Sequence, residues 1–293
     1  MHIWLLLIAV ALPVFLVLGT VLLWRRVLAR DNRRSPLTIS LHHQAGEQLR
    51  RSLDKATDDF YEAMGMAVAL GPLFLSGWML ARLDKLDWSK IRFGGGDAIL
   101  ALAAVAMLAW IIRKVIVNGQ TVRRLRQGLE AELATAQCLT PLIGEGCYVL
   151  HDIPADKFNI DHVVISPHAV FAVESKSRMK PEQGGKENAR VRYDGKTLRF
   201  PEHVETKPLD QAKGQARWLQ KALTDALGEP VKVVPVLSLP GWFVEGRGGR
   251  EDVVVCNPVN PRFMLLPAFG EPLPEALRKR ILNELTKRYP GQG

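Results

Sequence analysis

The sequence predicts an α/β domain, a central mixed sheet flanked by helices, preceded by an α-helical membrane region. Three observations lead there. Hydrophobic residues make up 47% of the 293 positions but are spread unevenly, with uncharged runs at Ile3–Trp24, Ala63–Ala81 and Ala98–Ile112. Beyond residue 118 the long runs stop, and short β-branched stretches mix with segments of helical periodicity. Lys and Arg gather beside the apolar runs rather than inside them.

Ile3–Trp24 is 22 residues without a charge, enough at about 1.5 Å per residue to cross a hydrocarbon core of ~30 Å. A cleaved signal peptide would carry positive charge ahead of the run; here Arg25, Arg26, Arg30, Arg33 and Arg34 follow it. The second run, Ala63–Ala81, has 19 residues. The third has 15 and becomes long enough when Val115, Ile116 and Val117 are added and Arg113 and Lys114 snorkel. The segments 25–62, 82–96 and 113–126 hold 8, 4 and 5 Lys/Arg. Three spans, at 3–24, 63–82 and 98–117, put the richer segments on one side. The expected protein is therefore a multi-pass protein of the cell (inner) membrane, with residues 1–117 as membrane region and 118–293 as a cytoplasmic domain. A two-span arrangement, with the third run as a soluble core helix, would put that domain outside. In the connection 25–62, Leu41, Leu49, Leu53, Ala56 and Phe60 mark an amphipathic helix, and His42-His43 reads as solvated rather than metal-binding, since neighbours on a helix point about 100° apart.

The net charge of +9 is shared between the two parts, which fits membrane topology and a polyanionic partner alike. Three separated cysteines, Cys138, Cys147 and Cys256, argue against a disulfide framework or a zinc site. No P-loop, Gly-X-Gly-X-X-Gly or nucleophile elbow is present.

In the C-terminal domain, Thr121–Leu139 reads as a helix, and 147–153, 158–166 and 169–176 as consecutive strands. Asp194-Gly195 signals a two-residue hairpin. Leu209–Leu227 is a helix stopped by Gly228 and Pro230; Val231–Leu237 and Asp252–Cys256 are strands, and Glu275–Arg288 is a terminal helix.

The chemistry concentrates between Ile160 and Lys176. The segment reads Ile-Asp-His-Val-Val-Ile-Ser, Pro-His, Ala-Val-Phe-Ala-Val-Glu-Ser-Lys: two apolar strands around a tight turn. Alternation puts Val170, Ala172, Glu174 and Lys176 on one face. A Glu and a Lys on a core-like strand form a strand-end salt bridge in the plain reading, but Asp161, 13 positions before Glu174, comes close to it across the hairpin. Two carboxylates and an ammonium suit phosphodiester hydrolysis. Asp161 and Glu174 can hold Mg²⁺, or Mn²⁺ in its place, with few protein ligands. The ion acidifies a water and stabilises charge on phosphate, and Lys176 orients the water or neutralises developing charge.

This Asp…Glu-X-Lys arrangement resembles the restriction-endonuclease-like PD-(D/E)XK nucleases, and more closely the nuclease-related domain (NERD) family. That family's pattern runs through a helix with Gly-X-X-Gly-Glu, Ile-Asp-His, Glu-X-Lys and a helix bearing a Gln. The matching stretches are Gly128-Leu129-Glu130-Ala131-Glu132, Ile160-Asp161-His162, Glu174-Ser175-Lys176 and Pro208-Leu209-Asp210-Gln211, with Ala131 in place of a Gly and Lys207 in place of a frequent Asn. The resemblance covers about residues 121–240. It implies a restriction-endonuclease-like fold and catalytic roles for Asp161, Glu174 and Lys176. It adds Glu132 around the metal and Gln211 beside the water or a phosphate.

Next to the site, residues 176–199 carry an excess of +5. Lys180, Lys186, Arg190, Arg192 and Lys196 are the expected phosphate contacts, with a solvated loop as the alternative. The leading expectation is a membrane-anchored, metal-dependent endonuclease acting on DNA. A non-catalytic nucleic-acid-binding or scaffold protein, and a membrane sensor binding another protein, are the alternatives.

Overall fold

The computed structural model describes residues 44–80, 94–180, 189–246 and 252–289. The chain divides into two compact units. One takes in Met1–Thr38 and Leu53–Arg123; the other takes in Ile39–Ser52 and Arg124–Gly293.

Two helices supply the described part of the first unit: α1 (Glu47–Leu80) from Leu53 onward and α2 (Gly95–Leu139) up to Arg123. They touch through Ala63 and Ile111, both buried, and through Asn118, whose Nδ2 donates to the Asp59 carbonyl at 3.1 Å. Outward, α2 exposes Ile99, Leu102, Val105, Leu108, Trp110, Ile112, Ile116 and Val117. A continuous apolar surface of this kind calls for a bilayer or a partner. Among the described residues one helix, α2, is long and apolar enough to cross a membrane. The expectation of three spans is thereby reduced: the run at 3–24 lies outside the described residues, and residues 63–80 are helical but belong to a helix, α1, that does not meet the same standard. Thr121–Leu139 is not a separate helix either. Asn118-Gly119 does not break the chain's path, and α2 runs through it for 45 residues.

The second unit is a mixed α/β domain with two sheets. The larger sheet has five strands: β1 (Tyr148–Pro154), β2 (Asn159–Ile165), β3 (Val170–Ser175), β7 (Val233–Ser238) and β9 (Val254–Cys256), in the order β1-β2-β3-β7-β9. β1, β2 and β3 pair antiparallel; β3, β7 and β9 pair parallel. The β3 to β7 connection passes through α4 (Lys207–Leu227), whose C-terminus is closed by Gly228 in the left-handed conformation, φ 72°.

Alternation along β3 divides the core as the sequence predicts. Val170 and Ala172 pack with Ala216, Leu219 and Leu223 of α4 and with Ile281 and Leu285 of α5 (Glu275–Thr286). Phe171 and Val173 pack on the other face with Leu139, with Leu142 of the short α3 (Pro141–Gly144) and with Met264. Burial on both faces explains the near-continuous β-branched composition of these strands.

The smaller sheet contains β4 (Arg190–Tyr193), β5 (Leu198–Arg199), β6 (Val204–Glu205) and β8 (Phe243–Glu245), in the order β6-β5-β4-β8. The expected two-residue hairpin is a four-residue loop, since Tyr193 pairs with Leu198. Asp194 is the reason: its Oδ1 accepts from the Lys196 and Thr197 amides at 2.9 and 2.7 Å, which bends the chain into an Asx turn. Those amides and the Thr197 hydroxyl pull its pKa down to about 2.

Leu219 joins the sheet to α4 and is fully buried. Leu219→Ala should lower stability by about 2–5 kcal/mol in denaturant unfolding, and a loss below about 1 kcal/mol would show that this face is not the core.

Candidate active site

Asp161 lies one register step beyond the His162–Val173 pair and thus across from Glu174. Period-two alternation places Asp161 on the face of Val163 and Ile165, and Glu174 on the face of Val170 and Ala172. Both are faces of the α4 side of the sheet, where the two carboxylates meet the same helix. Asp161 Oδ2 accepts from the Ser175 amide at 2.7 Å, a tie from β2 into β3.

Glu174 is 2% exposed, yet four oxygen lone-pair sites are largely matched by donors. Lys176 Nζ reaches its Oε1 at 2.5 Å, and Gln211 Nε2 donates to the same oxygen at 2.8 Å. Gln215 Nε2 donates to Oε2 at 2.5 Å. Gln211 therefore sits against the Glu174 carboxylate itself. Lys176 is held just past the strand by its amide, which donates to the Ser238 carbonyl at 3.0 Å.

Glu132 enters from α2 and is buried. Its Oε1 accepts from the Gly46 amide at 2.7 Å. Gly46 opens α1 with φ +74°, a left-handed backbone that favours glycine, and lies against the Leu129 side chain. Two residues on, the Gln48 amide donates to Asp152 Oδ2 at 3.1 Å. The free amides that begin α1 are thus met by two buried carboxylates, as the partial positive charge of a helix N-terminus favours. Asp152 is the one non-glycine residue with positive φ among those described, at 51°, and its Oδ1 accepts from Asn159 Nδ2 at 2.6 Å.

Burial pushes Glu132 up to about 7; the Gly46 amide opposes this, while Asp152 and Glu174 add to it. Burial, then the charges of Glu174 and Glu132, hold Asp161 well above the usual carboxylate range. Lys176 acts against both shifts but does not cancel them. A divalent cation fits such a donor set: hard carboxylate oxygens, crowded and short of positive charge. No group of three or more His, Cys, Asp and Glu is arranged as a metal cluster among the described residues. Two protein carboxylates with water completing the shell is the kind of site Mg²⁺ accepts.

On the other side of β2, His162 is fully buried. Its Nδ1 lies 2.8 Å from His151 Nδ1, and its Nε2 lies 3.2 Å from Ser175 Oγ. Two Nδ1 atoms can share one hydrogen only when the rings are opposite tautomers, and burial lowers the pKa of both, His162 the more strongly. His162 thus supports the strands from behind instead of joining the carboxylates.

The expected phosphate contacts separate. Arg190 and Arg192 both pair with Glu245, at 2.5 and 3.4 Å. Lys180 Nζ lies over the Trp242 ring, 6.0 Å from its centre. Lys196 is exposed at the Asp194 turn, and Lys186 lies outside the described residues. Exposed pairs such as those with Glu245 contribute little to stability.

The sequence reading did not assign Gln215, although its spacing of four from Gln211 on a helix was a usable signal. Gly46 and Gln48 gave none, being 86 and 104 residues from their partners.

With this geometry in place, the comparisons narrow the class. Residues 127–240 match the model of the family described as NERD, nuclease-related domain. No curated protein and no solved structure matches the chain. The matched stretch is the part of the chain that carries Glu132, Asp161, Glu174, Lys176 and both glutamines.

Glu132 has a raised folded-state pKa, so the folded protein holds a proton that the unfolded chain releases. Its contribution to stability is full below about pH 4.5 and is lost as pH rises to about 7. Glu132→Gln keeps the acceptor for Gly46 and removes the charge. In metal-free denaturant titrations it should exceed the parent by a few kcal/mol at pH 8 and match it near pH 4.5. Equal stability at both pH values would show that Glu132 is not under strain.

Proposed function

We propose that the second unit is a metal-dependent endonuclease of restriction-endonuclease-like, PD-(D/E)XK type that hydrolyses phosphodiester bonds of DNA. The observation that carries this reading is the meeting of Asp161, Glu174 and Lys176 on the α4 side of one sheet, with Glu132 and Asp161 both raised in pKa by burial and by the neighbouring carboxylates.

Asp161 and Glu174 would hold Mg²⁺, or Mn²⁺. When bound, that ion supplies Lewis-acid polarisation of the phosphate and acidifies an attacking water. Lys176, three-quarters buried beside Glu174, sets a fixed positive charge where the phosphate oxygens gain negative charge. Gln211 and Gln215 keep the Glu174 carboxylate in one orientation, and the Ser175 amide does the same for Asp161. Glu132 adds negative charge to the surroundings of the ion and is held back from it by Gly46. Lys180, Lys186, Arg190, Arg192 and Lys196 would bind the DNA backbone, with Arg190 and Arg192 leaving Glu245 to do so. The competing reading, a nucleic-acid-binding or scaffold protein without catalysis, draws support from the lack of a three-ligand cluster among the described residues.

The apolar face of α2 supports placement in the cell (inner) membrane, with α1 residues from 63 onward and the run at 3–24 as further spans, the nuclease-like unit cytoplasmic, and lipid as the partner of the exposed face. Reporter fusions after residue 120 should read cytoplasmic; an external signal would refute this placement.

The purified full chain should nick plasmid DNA with Mg²⁺ or Mn²⁺ and not with EDTA. Glu174→Ala should abolish cleavage, and Lys176→Ala should slow it by about 10²–10³ while metal still binds. Glu174→Ala cleaving as fast as the parent would leave the non-catalytic reading in its place.

A further inference from the structure

Gln211 and Gln215 stand one turn apart on α4 and take opposite oxygens of Glu174. Gln215 does more than its neighbour. It is 3% exposed, and its Nε2 also faces the Asn159 carbonyl at 3.4 Å, on β2, two residues before Asp161. One amide nitrogen thus joins the strand that bears Asp161 to the carboxylate of Glu174. The return tie is the Ser175 amide on Asp161 Oδ2. The two carboxylates are cross-linked in both directions, and only the Gln215 link is made by a side chain that can be replaced.

The orientation of this amide follows from chemistry. Turning it over would set its oxygen against the Glu174 oxygen, acceptor to acceptor. Its own Oε1 is left buried without a hydrogen-bond partner. On Glu174, Lys176 and Gln211 use Oε1 and Gln215 uses one site on Oε2, so the free lone pair is on Oε2, and Gln215 sets where it points. A neutral donor suits that task. An ammonium at the same place would fix the carboxylate and also cancel the charge that attracts a cation.

We infer that Gln215 is a positioning residue for the cation-binding pair Asp161 and Glu174, fixing the direction from which Glu174 meets a divalent ion; this rests on the nuclease reading above. Partners that orient metal ligands typically change metal affinity 10–100-fold when lost.

The test uses the full chain, Mn²⁺ alone as probe, and titration calorimetry, with melting in EDTA as the control for folding. Gln215→Met keeps the volume without the donor and should weaken Mn²⁺ binding about 10–100-fold with the metal-free melting temperature little changed. Gln215→Lys should weaken it further while raising that melting temperature. Gln215→Asn keeps the amide one methylene short and should lose affinity as the Met variant does, which covers the case in which the Met variant fails to fold. Parent-like Mn²⁺ affinity in Gln215→Met or Gln215→Asn, alongside a parent that binds and cleaves, overturns the inference alone. A parent that neither binds Mn²⁺ nor cleaves overturns the nuclease reading and this inference together.

Discussion

Repulsion among buried carboxylates is the constraint that orders the second unit. Glu174 raises the proton affinity of Asp161 and of Glu132, Glu132 adds to that of Asp161, and Lys176 is the ammonium that opposes both shifts. Such a group disfavours folding unless each oxygen finds a donor. The surrounding elements provide them: the Ser175 amide, the two glutamines of α4, and the Gly46 amide. The sheet register, the placement of α4 over β3, and the docking of residues 44–48 can all be read as ways of delivering those donors. What remains unbalanced is charge, which is the condition under which a cation binds tightly.

The strands around this site were legible because they are buried on both faces and cannot tolerate polar residues. Asp161 and Glu174 therefore stood out as exceptions in β-branched runs. Alternation then placed Val170 and Ala172 apart from Phe171 and Val173, as the two core clusters show. The Asp194 loop was misjudged in length because the aspartate's side chain caps two amides, an interaction that a count of strand and turn residues does not include. The continuity of α2 past Asn118-Gly119 was missed for a similar reason. Gly119 lies against Phe60, with space for a Cβ only 3.3 Å from the ring, so the glycine serves close helix approach instead of ending the helix.

Long-range ties were out of reach of any local pattern. Gly46 looks like a linker glycine until its amide is seen on Glu132, and Asp152 looks like a polar lapse in a strand until Gln48 is seen beside it. His162, adjacent to Asp161, has the composition of a ligand. Alternation turns it to the opposite face, where it meets His151 and Ser175.

The thread of the chain through these contacts has a consequence of parity. The unit that holds the site begins at Ile39, is left after Ser52, and is rejoined at Arg124. A single compact unit lies on one side of a bilayer. The intervening stretch, Leu53–Arg123, therefore crosses an even number of times or not at all. In sequence, the helical unit is thus an insertion into the unit that holds the site, whose first stretch is tied to the rest by Glu132 on the Gly46 amide and Asp152 on the Gln48 amide. During synthesis, residues 46–48 must wait for the stretch 53–123 to be made, and for Glu132 and Asp152 to emerge after it, before they have anything to hold.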